Sequence, residues 1–335
     1  MNHKYKYFKT SIFLLVITIV ATLSISIVNQ TKRTNSQECI FEKKECLDLP
    51  KYFPDVKTGW RALYDLPQDS PARFALNNIA SRNSWRAFRL LNGKWPGTDA
   101  DRETSAETIK KLGKSIELGL TWPHKIPPTF EIPYTKTAPL IDGYLNDACW
   151  NKALSFKGAY PVDSVKKEND GSIWKMMWDW KYFYAAAYFP DKHILASTSR
   201  KHPYYGDSIE IFLMPSKRMK KYWEIIIGCN GDFYDGFHCN NRHGGWASDH
   251  LAKMRGVRFK VLKQKTGYSI EVAIPFLELP NYMLGNQPLA GQTIHFAIVR
   301  TNKTRKDGEV EYSSVFPLLY GGYNIFGLAK GILKK

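Results

Sequence analysis

Beyond about residue 128 the apolar residues recur at every second position, and that period commits the region to β-strands. In Tyr268-Ser-Ile-Glu-Val-Ala-Ile274, the residues Tyr268, Ile270, Val272 and Ile274 share one face. In Asp207-Ser-Ile-Glu-Ile-Phe-Leu213, Ile209, Ile211 and Leu213 do the same. Further strands are read at residues 173–178, 182–189, 222–228, 257–262, 293–300, 310–315 and 325–332. Gly, Asn, Asp and Pro turns separate them, with no strand–helix rhythm that would build a parallel nucleotide-binding sheet. The expected fold is all-β, an antiparallel β-sandwich of jelly-roll or immunoglobulin-like type.

Trp122-Pro-His-Lys-Ile-Pro-Pro128 marks where this domain starts, because its prolines forbid a helix and hold the chain extended. Residues 59–125 read as a short helical appendage. Asp69-Ser70-Pro71 supplies a capping side chain followed by proline at the first helical position. A second start lies at Thr104-Ser-Ala-Glu107, with Ile109, Leu112, Ile116 and Leu118 as one stripe ending before Gly119. Residues 29–58 are polar and aperiodic, as a tether would be.

The extreme N-terminus places the chain outside the cytoplasm. Lys4, Lys6 and Lys9 precede residues 11–28, which carry no charge. Eighteen residues at about 1.5 Å rise cover roughly 27 Å, enough to cross a hydrocarbon core. The basic flank keeps the N-terminus inside and sends the remainder outward. Residues 1–28 therefore read as a retained membrane anchor or as a signal peptide cleaved near Ser24-Ile-Ser26, leaving the protein tethered or secreted.

Lys and Arg number 48 against 31 Asp and Glu, a net charge of +17. In an exported protein that excess argues for anionic glycans or membrane headgroups rather than nucleic acid. Hydrophobic residues at 44% suffice for a core and exclude wholesale disorder. Five cysteines form two near pairs in sequence, Cys39 with Cys46 and Cys229 with Cys239, and leave Cys149 over.

No nucleophile elbow, zinc-protease helix, phosphate loop or dinucleotide fingerprint occurs. Glu210, Glu224 and Glu271 are strand carboxylates, read first as sheet-face residues. His238-Cys239, His243 and His250 with Cys229 upstream are the one cluster of soft ligands, in no common zinc spacing. Asp142, Asp147, Asp207 and Asp232 are scattered oxygen ligands for calcium. Ten Trp, nineteen Tyr and eighteen Phe are more than one sandwich needs for packing. Trp150, Trp174 and Trp178 are assigned to core. Tyr204-Tyr205, Trp246, Tyr320 and Tyr323 fall in loops, where a flat ring in polar surroundings suits a sugar face.

Pro139-Leu-Ile-Asp-Gly-Tyr-Leu-Asn-Asp-Ala-Cys-Trp150 resembles the opening motif of carbohydrate-binding modules of family 9 and their DOMON-like relatives. Trp178-Asp-Trp-Lys-Tyr-Phe-Tyr184, Gly206-Asp-Ser-Ile-Glu-Ile-Phe212, Tyr222-Trp-Glu224, Gly267-Tyr-Ser-Ile-Glu-Val-Ala-Ile-Pro275 and Phe326-Gly327 follow in the family's order. The resemblance spans residues 130–335 and implies a β-sandwich that binds sugar without catalysis. It places the two stacking rings at Tyr204 and Tyr320, both tyrosine where the best-known modules carry tryptophan, hence a smaller platform. The middle-strand polar contact falls near Ile225, a departure from the pattern. Calcium is seen in some members. Haem-binding relatives use methionine, for which Met176, Met177, Met214 and Met219 stand as candidates.

The function these readings support is an exported, tethered, non-catalytic protein that stacks a polysaccharide terminus and contributes to polysaccharide capture or breakdown. Tyr204 and Tyr320 stack, and Glu224, Asn230 or Arg300 bond hydroxyls. A glycoside hydrolase or its accessory subunit, and a haem electron-transfer module, are the alternatives.

Overall fold

The structure, a computed structural model, describes residues 66–67, 70, 72–73, 117–124, 126–216, 220–240, 246–249, 253–280, 287–303 and 310–335. All fall within the compact unit formed by Gly59–Asn78 and Ser115–Lys335; a second unit, Met1–Thr58 with Ile79–Lys114, lies outside them. Residues 1–28, the 29–58 tether, Cys39 and Cys46 are therefore outside the described residues. Among the described residues no helix is long and apolar enough to cross a membrane.

Alternation produces thirteen strands among the described residues. They are β1 (Thr129–Pro133), β2 (Leu154–Pro161), β3 (Glu168–Trp178), β4 (Tyr182–Pro190), β5 (Ser208–Met214), β6 (Lys221–Gly228) and β7 (Phe233–Asn240). Then come β8 (Trp246–Asp249), β9 (Arg258–Gln264), β10 (Gly267–Pro275), β11 (Thr293–Lys303), β12 (Val310–Ser314) and β13 (Ala329–Lys334). The order is β8-β7-β6-β5-β11-β12-β2-β3-β4-β10-β9, with β13 antiparallel on β11 and β1 parallel to β13. The expected all-β sandwich is formed by one continuous, curled sheet. Its halves are joined where β12 meets β2 through two residue pairs, Ser313 with Pro161 and Ser314 with Tyr160.

Inward faces meet in a single core. Ile209, Ile211 and Leu213 of β5 and Trp223, Ile225 and Ile227 of β6 join Trp174, Met176 and Trp178 of β3 and the alternating residues Tyr268 to Ile274 of β10. Trp150 is also buried, but in a second cluster with Met177, Tyr184 and Ala273 on the outer side of β3, β4 and β10. Four of the strands, β1, β2, β7 and β8, were not read from sequence. The strand expected over 325–332 begins only at Ala329, since residues 325–328 form turns.

The opening motif is a clasp. Glu271 on the outer face of β10 accepts from Asp142 N (3.0 Å), Gly143 N (2.8 Å) and Trp150 Nε1 (2.8 Å). Gly143 is required there: its φ is +92°, and a Cβ would stand 2.8 Å from Leu262 Cβ. Asp147 accepts from Leu140 N at 2.8 Å and closes the loop. Asp179 makes the β3–β4 turn by accepting from Lys181 N, Tyr182 N and the Tyr184 hydroxyl, each at 2.7 Å.

The first expected helix start is seen: Arg73 N donates to Ser70 Oγ at 3.2 Å, with helical backbone at 72–73. Helical backbone at 117–121 runs through Gly119 rather than ending before it. The Cys229 and Cys239 pairing does not form. Cys239 lies opposite Lys221 at one end of β6, and Cys229 follows Gly228 at the other. Eight residue steps at about 3.3 Å each separate them by roughly 26 Å, far beyond disulfide reach.

Candidate functional site

Away from the core, β5, β6, β7, β11 and β12 present a second face whose members are fixed by register. Phe212 lies opposite Glu224 and Glu224 opposite Gly236; Tyr222 lies opposite His238, and Ile226 opposite Tyr234. Across β5, Glu210 lies opposite Val299, and Thr301 of β11 opposite Tyr312 of β12. Gly236 is the gap in this face. A Cβ there would sit 2.7 Å from the Tyr234 hydroxyl and 2.8 Å from His238 Nε2, so both side chains lean into the space that glycine leaves.

Glu224 is the hub. Its Oε2 meets His238 Nε2 at 2.8 Å, and its Oε1 accepts from the Tyr323 hydroxyl at 2.5 Å. His238 stacks on Tyr222, centroids 4.8 Å apart at 17°, and Tyr323 stands edge-on to Phe212 at 5.3 Å. The loop carrying Tyr323 approaches closely because Gly322 lies against the Phe212 ring, where a Cβ would come within 2.1 Å. Burial pushes the Tyr323 phenol well above the usual range, with the Glu224 charge adding to it. Burial and then Glu224 push Tyr234 up to about 12.

Glu210 is the second carboxylate of the face. Thr301 Oγ1 donates to its Oε1 at 2.6 Å. Burial pushes its carboxyl up to about 7, against the Thr301 hydrogen bond and with the Glu224 charge adding.

Tyr204, the first ring expected to stack on sugar, lies in a 3₁₀ turn, Pro203–Tyr205, held near the end of β6, where a Cβ on Gly228 would lie 3.2 Å from Pro203 Cβ. The Tyr204 hydroxyl bonds His202 Nδ1 at 2.7 Å. Its ring is T-shaped to Tyr205 (4.7 Å) and to Tyr234 (6.1 Å), and Tyr205 is 54% exposed. Burial raises the Tyr204 phenol, and the Glu224 and Glu210 charges reach it too. Tyr320 stands on the loop after β12, three residues before Tyr323, at φ +62° with its N–H donated to Asp163 Oδ1.

The remaining sequence candidates fall elsewhere. Ile225 points into the core, so the polar member of β6 on this face is its neighbour Glu224. Arg300 lies opposite Ile209, on the inward side, where its guanidinium meets Asp191 at 3.0 Å and Asp170 at 3.9 Å. Asn230 is engaged in the β6–β7 turn, donating to Asp232 Oδ2 at 2.7 Å. His238 and Cys239 alternate to opposite faces, and His243 and His250 lie outside the described residues. Among the described residues no group of three or more His, Cys, Asp or Glu is placed to hold a metal. Asp142, Asp147, Asp207 and Asp232 each serve a local turn or loop contact. Met176 and Met177 alternate into different clusters, Met214 is buried on β5, and Met219 lies outside the described residues.

Sequence reading missed Tyr234, Tyr222 and the role of His238. The alternation Tyr234, Gly236, His238 within Phe233–Asn240 is the signal that was there, masked by Asp235 and Gly236 and by the preceding Gly231 and Asp232, which resemble a loop.

Among solved structures, the chain is similar to a carbohydrate binding module family 9 from Caldicellulosiruptor kristjanssonii in complex with cellotriose. The match has 19% identity and a TM-score of 0.45 over 62% of this chain and 95% of that one. The same module in complex with glucose matches with the same identity and TM-score, over 62% and 97%. No curated protein sequence matches the chain. The family model for carbohydrate family 9 binding domain-like proteins matches residues 141–315, just over half of the chain. This span takes in most of the clasp that ends at Trp150, the Asp179 turn and the strands that carry Glu224, while Tyr320 and Tyr323 lie beyond it. The chain belongs to the carbohydrate family 9 binding domain-like family.

Proposed function

We propose that this chain is a non-catalytic glycan-binding protein, and that the face around Glu224 is where the sugar sits. One observation carries the reading: a buried carboxylate, pinned by His238 and Tyr323, shares its face with Tyr234, whose ring meets that of Tyr204 nearly at a right angle. Tyr204 offers a flat apolar surface to the C–H side of a sugar ring, while Glu224 and Glu210 accept its hydroxyl protons. Tyr320, three residues along the loop from Tyr323, closes the second side. Affinity from one such site is modest, since a sugar buries little area and its hydroxyls must be desolvated.

The local charge argues against the anionic glycan that +17 invites, because two carboxylates line this face and Arg300 faces the other way. The protein reads as exported, tethered by residues 11–28 or secreted after their removal, and as presenting the sandwich to polysaccharide outside the cell. Its role is then capture of polysaccharide ahead of breakdown by other proteins.

The test is affinity electrophoresis and calorimetry of the full chain with neutral, uronic and sulfated oligosaccharides, beside Tyr204→Ala and Tyr320→Ala. Binding of neutral ligands that both folded variants lose is the expected result. Release of reducing ends would overturn the non-catalytic reading, and retention of binding in Tyr204→Ala would overturn the site. Fractionation of expressing cells before and after alkaline wash tests the tether.

A further inference from the structure

The positive excess of the chain is unevenly spread. Lys253-Met-Arg-Gly-Val-Arg-Phe-Lys-Val-Leu-Lys-Gln-Lys265 carries six basic residues and no acidic one. It contains β9, which ends the sheet order and has only β10 as a strand partner among the described residues. Lys253 pairs with Asp235, whereas among the described residues Arg255, Lys260, Lys263 and Lys265 make no ion pair. A cleft of about 380 Å³ lies between β9 and the tip of the β6–β7 hairpin, lined by Cys229, Asn230, Phe259, Lys260, Val261 and Lys263. Phe259, Val261 and Lys263 are opposite the inward residues Val272, Ile270 and Tyr268, while Lys260 is opposite the outward Glu271. Residues of both faces thus line one cleft, so it follows the free edge of β9, where alternate backbone N–H groups point away from β10. Phe233 stacks on Phe259 at 5.2 Å and 12° and fixes the hairpin against the strand. At the tip, a Cβ on Gly231 would meet nothing within 4 Å. The acidic groups nearby are engaged: Asp207 accepts from Leu195 N and Lys303 N, Asp191 pairs with Arg300, and Asp232 accepts from the Asn230 amide. Burial and then the Asp207 charge push the Cys229 thiol up to about 12, with Lys263 pulling against them, so at neutral pH the thiol is an uncharged wall.

We propose that this cleft is a second glycan seat, one that takes an acidic sugar of uronate type and holds its carboxylate between Lys260 and Lys263. This rests on the glycan-binding reading and adds to it a site away from the Glu224 face. An ionised carboxylate only accepts hydrogen bonds, and the cleft offers it donors alone at its rim: two ammonium groups and the N–H groups of the strand edge. Phe259 and Val261 supply the apolar wall that the C–H side of a sugar ring packs on. The volume falls within the range of small-ligand clefts. Lysines on an edge strand also guard it against pairing with another chain, but that role needs no recess beside them. A lipid surface is met by a flat basic patch, whereas these lysines flank a walled recess. The two seats differ in sign, with carboxylates at Glu224 and Glu210 and lysines at β9, so one suits a neutral sugar and the other an acidic one.

A trimer of α-1,4-linked galacturonic acid and its methyl ester, which differ in charge alone, test the assignment. Calorimetry uses the full chain at about 0.15 M salt, where screening over roughly 8 Å removes the long-range pull of a net charge of +17. The free acid is expected to bind about tenfold tighter than the ester. Lys260→Gln with Lys263→Gln should bring that ratio to about one. Lys136→Gln with Lys330→Gln, an equal charge change at exposed positions after β1 and on β13, should leave it alone, as should Tyr204→Ala. Acid and ester binding alike, or neither binding, overturns the inference; neutral oligosaccharides that still depend on Tyr204 then leave the Glu224 face standing. An equal loss in the two lysine pairs overturns the seat, because it makes the attraction general. Loss of acid binding in Tyr204→Ala also overturns it, by moving the acid to the other face. Sedimentation with vesicles of phosphatidylcholine and phosphatidylserine covers the remaining partner. Vesicle binding that needs Lys260 and Lys263, without a preference for acid over ester, overturns the inference in favour of a lipid surface.

Discussion

Replacing Glu210 by Gln should stabilise the folded protein above neutral pH and leave it nearly unchanged in mild acid. An ordinary glutamate titrates near 4.5; folding raises Glu210 to about 7, chiefly by burial. Between those values the folded state holds a proton that the unfolded chain has released, so stability falls as pH rises through that window. Below 4.5 both states are protonated and the contribution is fully present; above 7 it is gone. The difference of about 2.5 in pKa corresponds to roughly 3 kcal/mol at about 1.4 kcal/mol per tenfold step. Gln keeps a carbonyl oxygen for Thr301 and the same shape, so the packing cost is small. For a unit of this size, about 3 kcal/mol raises Tm by roughly 6–12 °C at pH 8. Thermal melts of both proteins at pH 4.5 and pH 8 read the effect directly. An equal change at the two pH values, or a lower Tm for the variant at pH 8, would refute the reasoning, because either result removes ionisation of Glu210 from the balance.

Other perturbations separate the clasp from the face. Glu271→Leu strands the Asp142 and Gly143 N–H groups and the Trp150 indole N–H, and should cost at least about 3 kcal/mol in urea unfolding while altering no contact on the Glu224 side. Gly322→Ala drives a methyl into the Phe212 ring, displacing the loop that delivers Tyr323; glycan affinity should drop with a loss of about 1–3 kcal/mol in stability. His238→Ala leaves Glu224 with one partner and removes the ring stacked on Tyr222, so affinity should fall by roughly tenfold in calorimetry. Arg300→Ala unpairs the partly buried Asp191 on the opposite side of β11, so the melt should suffer while the binding enthalpy per folded molecule stays the same.

Strands with an apolar inward face were legible because a period of two survives in any register; β5 and β10 read correctly from their isoleucines and valines alone. β7 did not, since its inward residues Phe233, Asp235 and Phe237 alternate with Tyr234, Gly236 and His238, leaving no clean apolar side. Its face becomes visible only when β6 supplies Glu224 as the partner of Gly236. Arg300 was misleading for a related reason. Alternation along β11 sets it opposite in sense to Thr301, and a one-residue difference decides whether a guanidinium meets a ligand or Asp191. Cys229 and Cys239 look close because ten positions separate them, yet a hairpin with one cysteine at its tip and one at its foot holds them at full strand length.

The residues that identify the family and the residues that would choose its sugar are different sets. Asp142, Gly143, Trp150 and Glu271 lock the opening loop onto β10, and Asp179 closes the β3–β4 turn. Asp207 joins Leu195 N to Lys303 N. Each satisfies buried or turn backbone groups, and each would be needed whatever the sandwich binds. Tyr234, His238 and Tyr312 act through side chains on the other face, and a change among them leaves the strand ladder intact. Specificity can therefore drift while the recognisable motifs hold still, so family membership fixes the scaffold and leaves the ligand to the face. That face is also where this chain departs from what stability alone favours: a carboxylate raised to about 7 and two buried hydroxyls without partners. Groups left poorly satisfied by folding are groups that a ligand can satisfy, and the Glu210 that lowers stability at pH 8 is one of them.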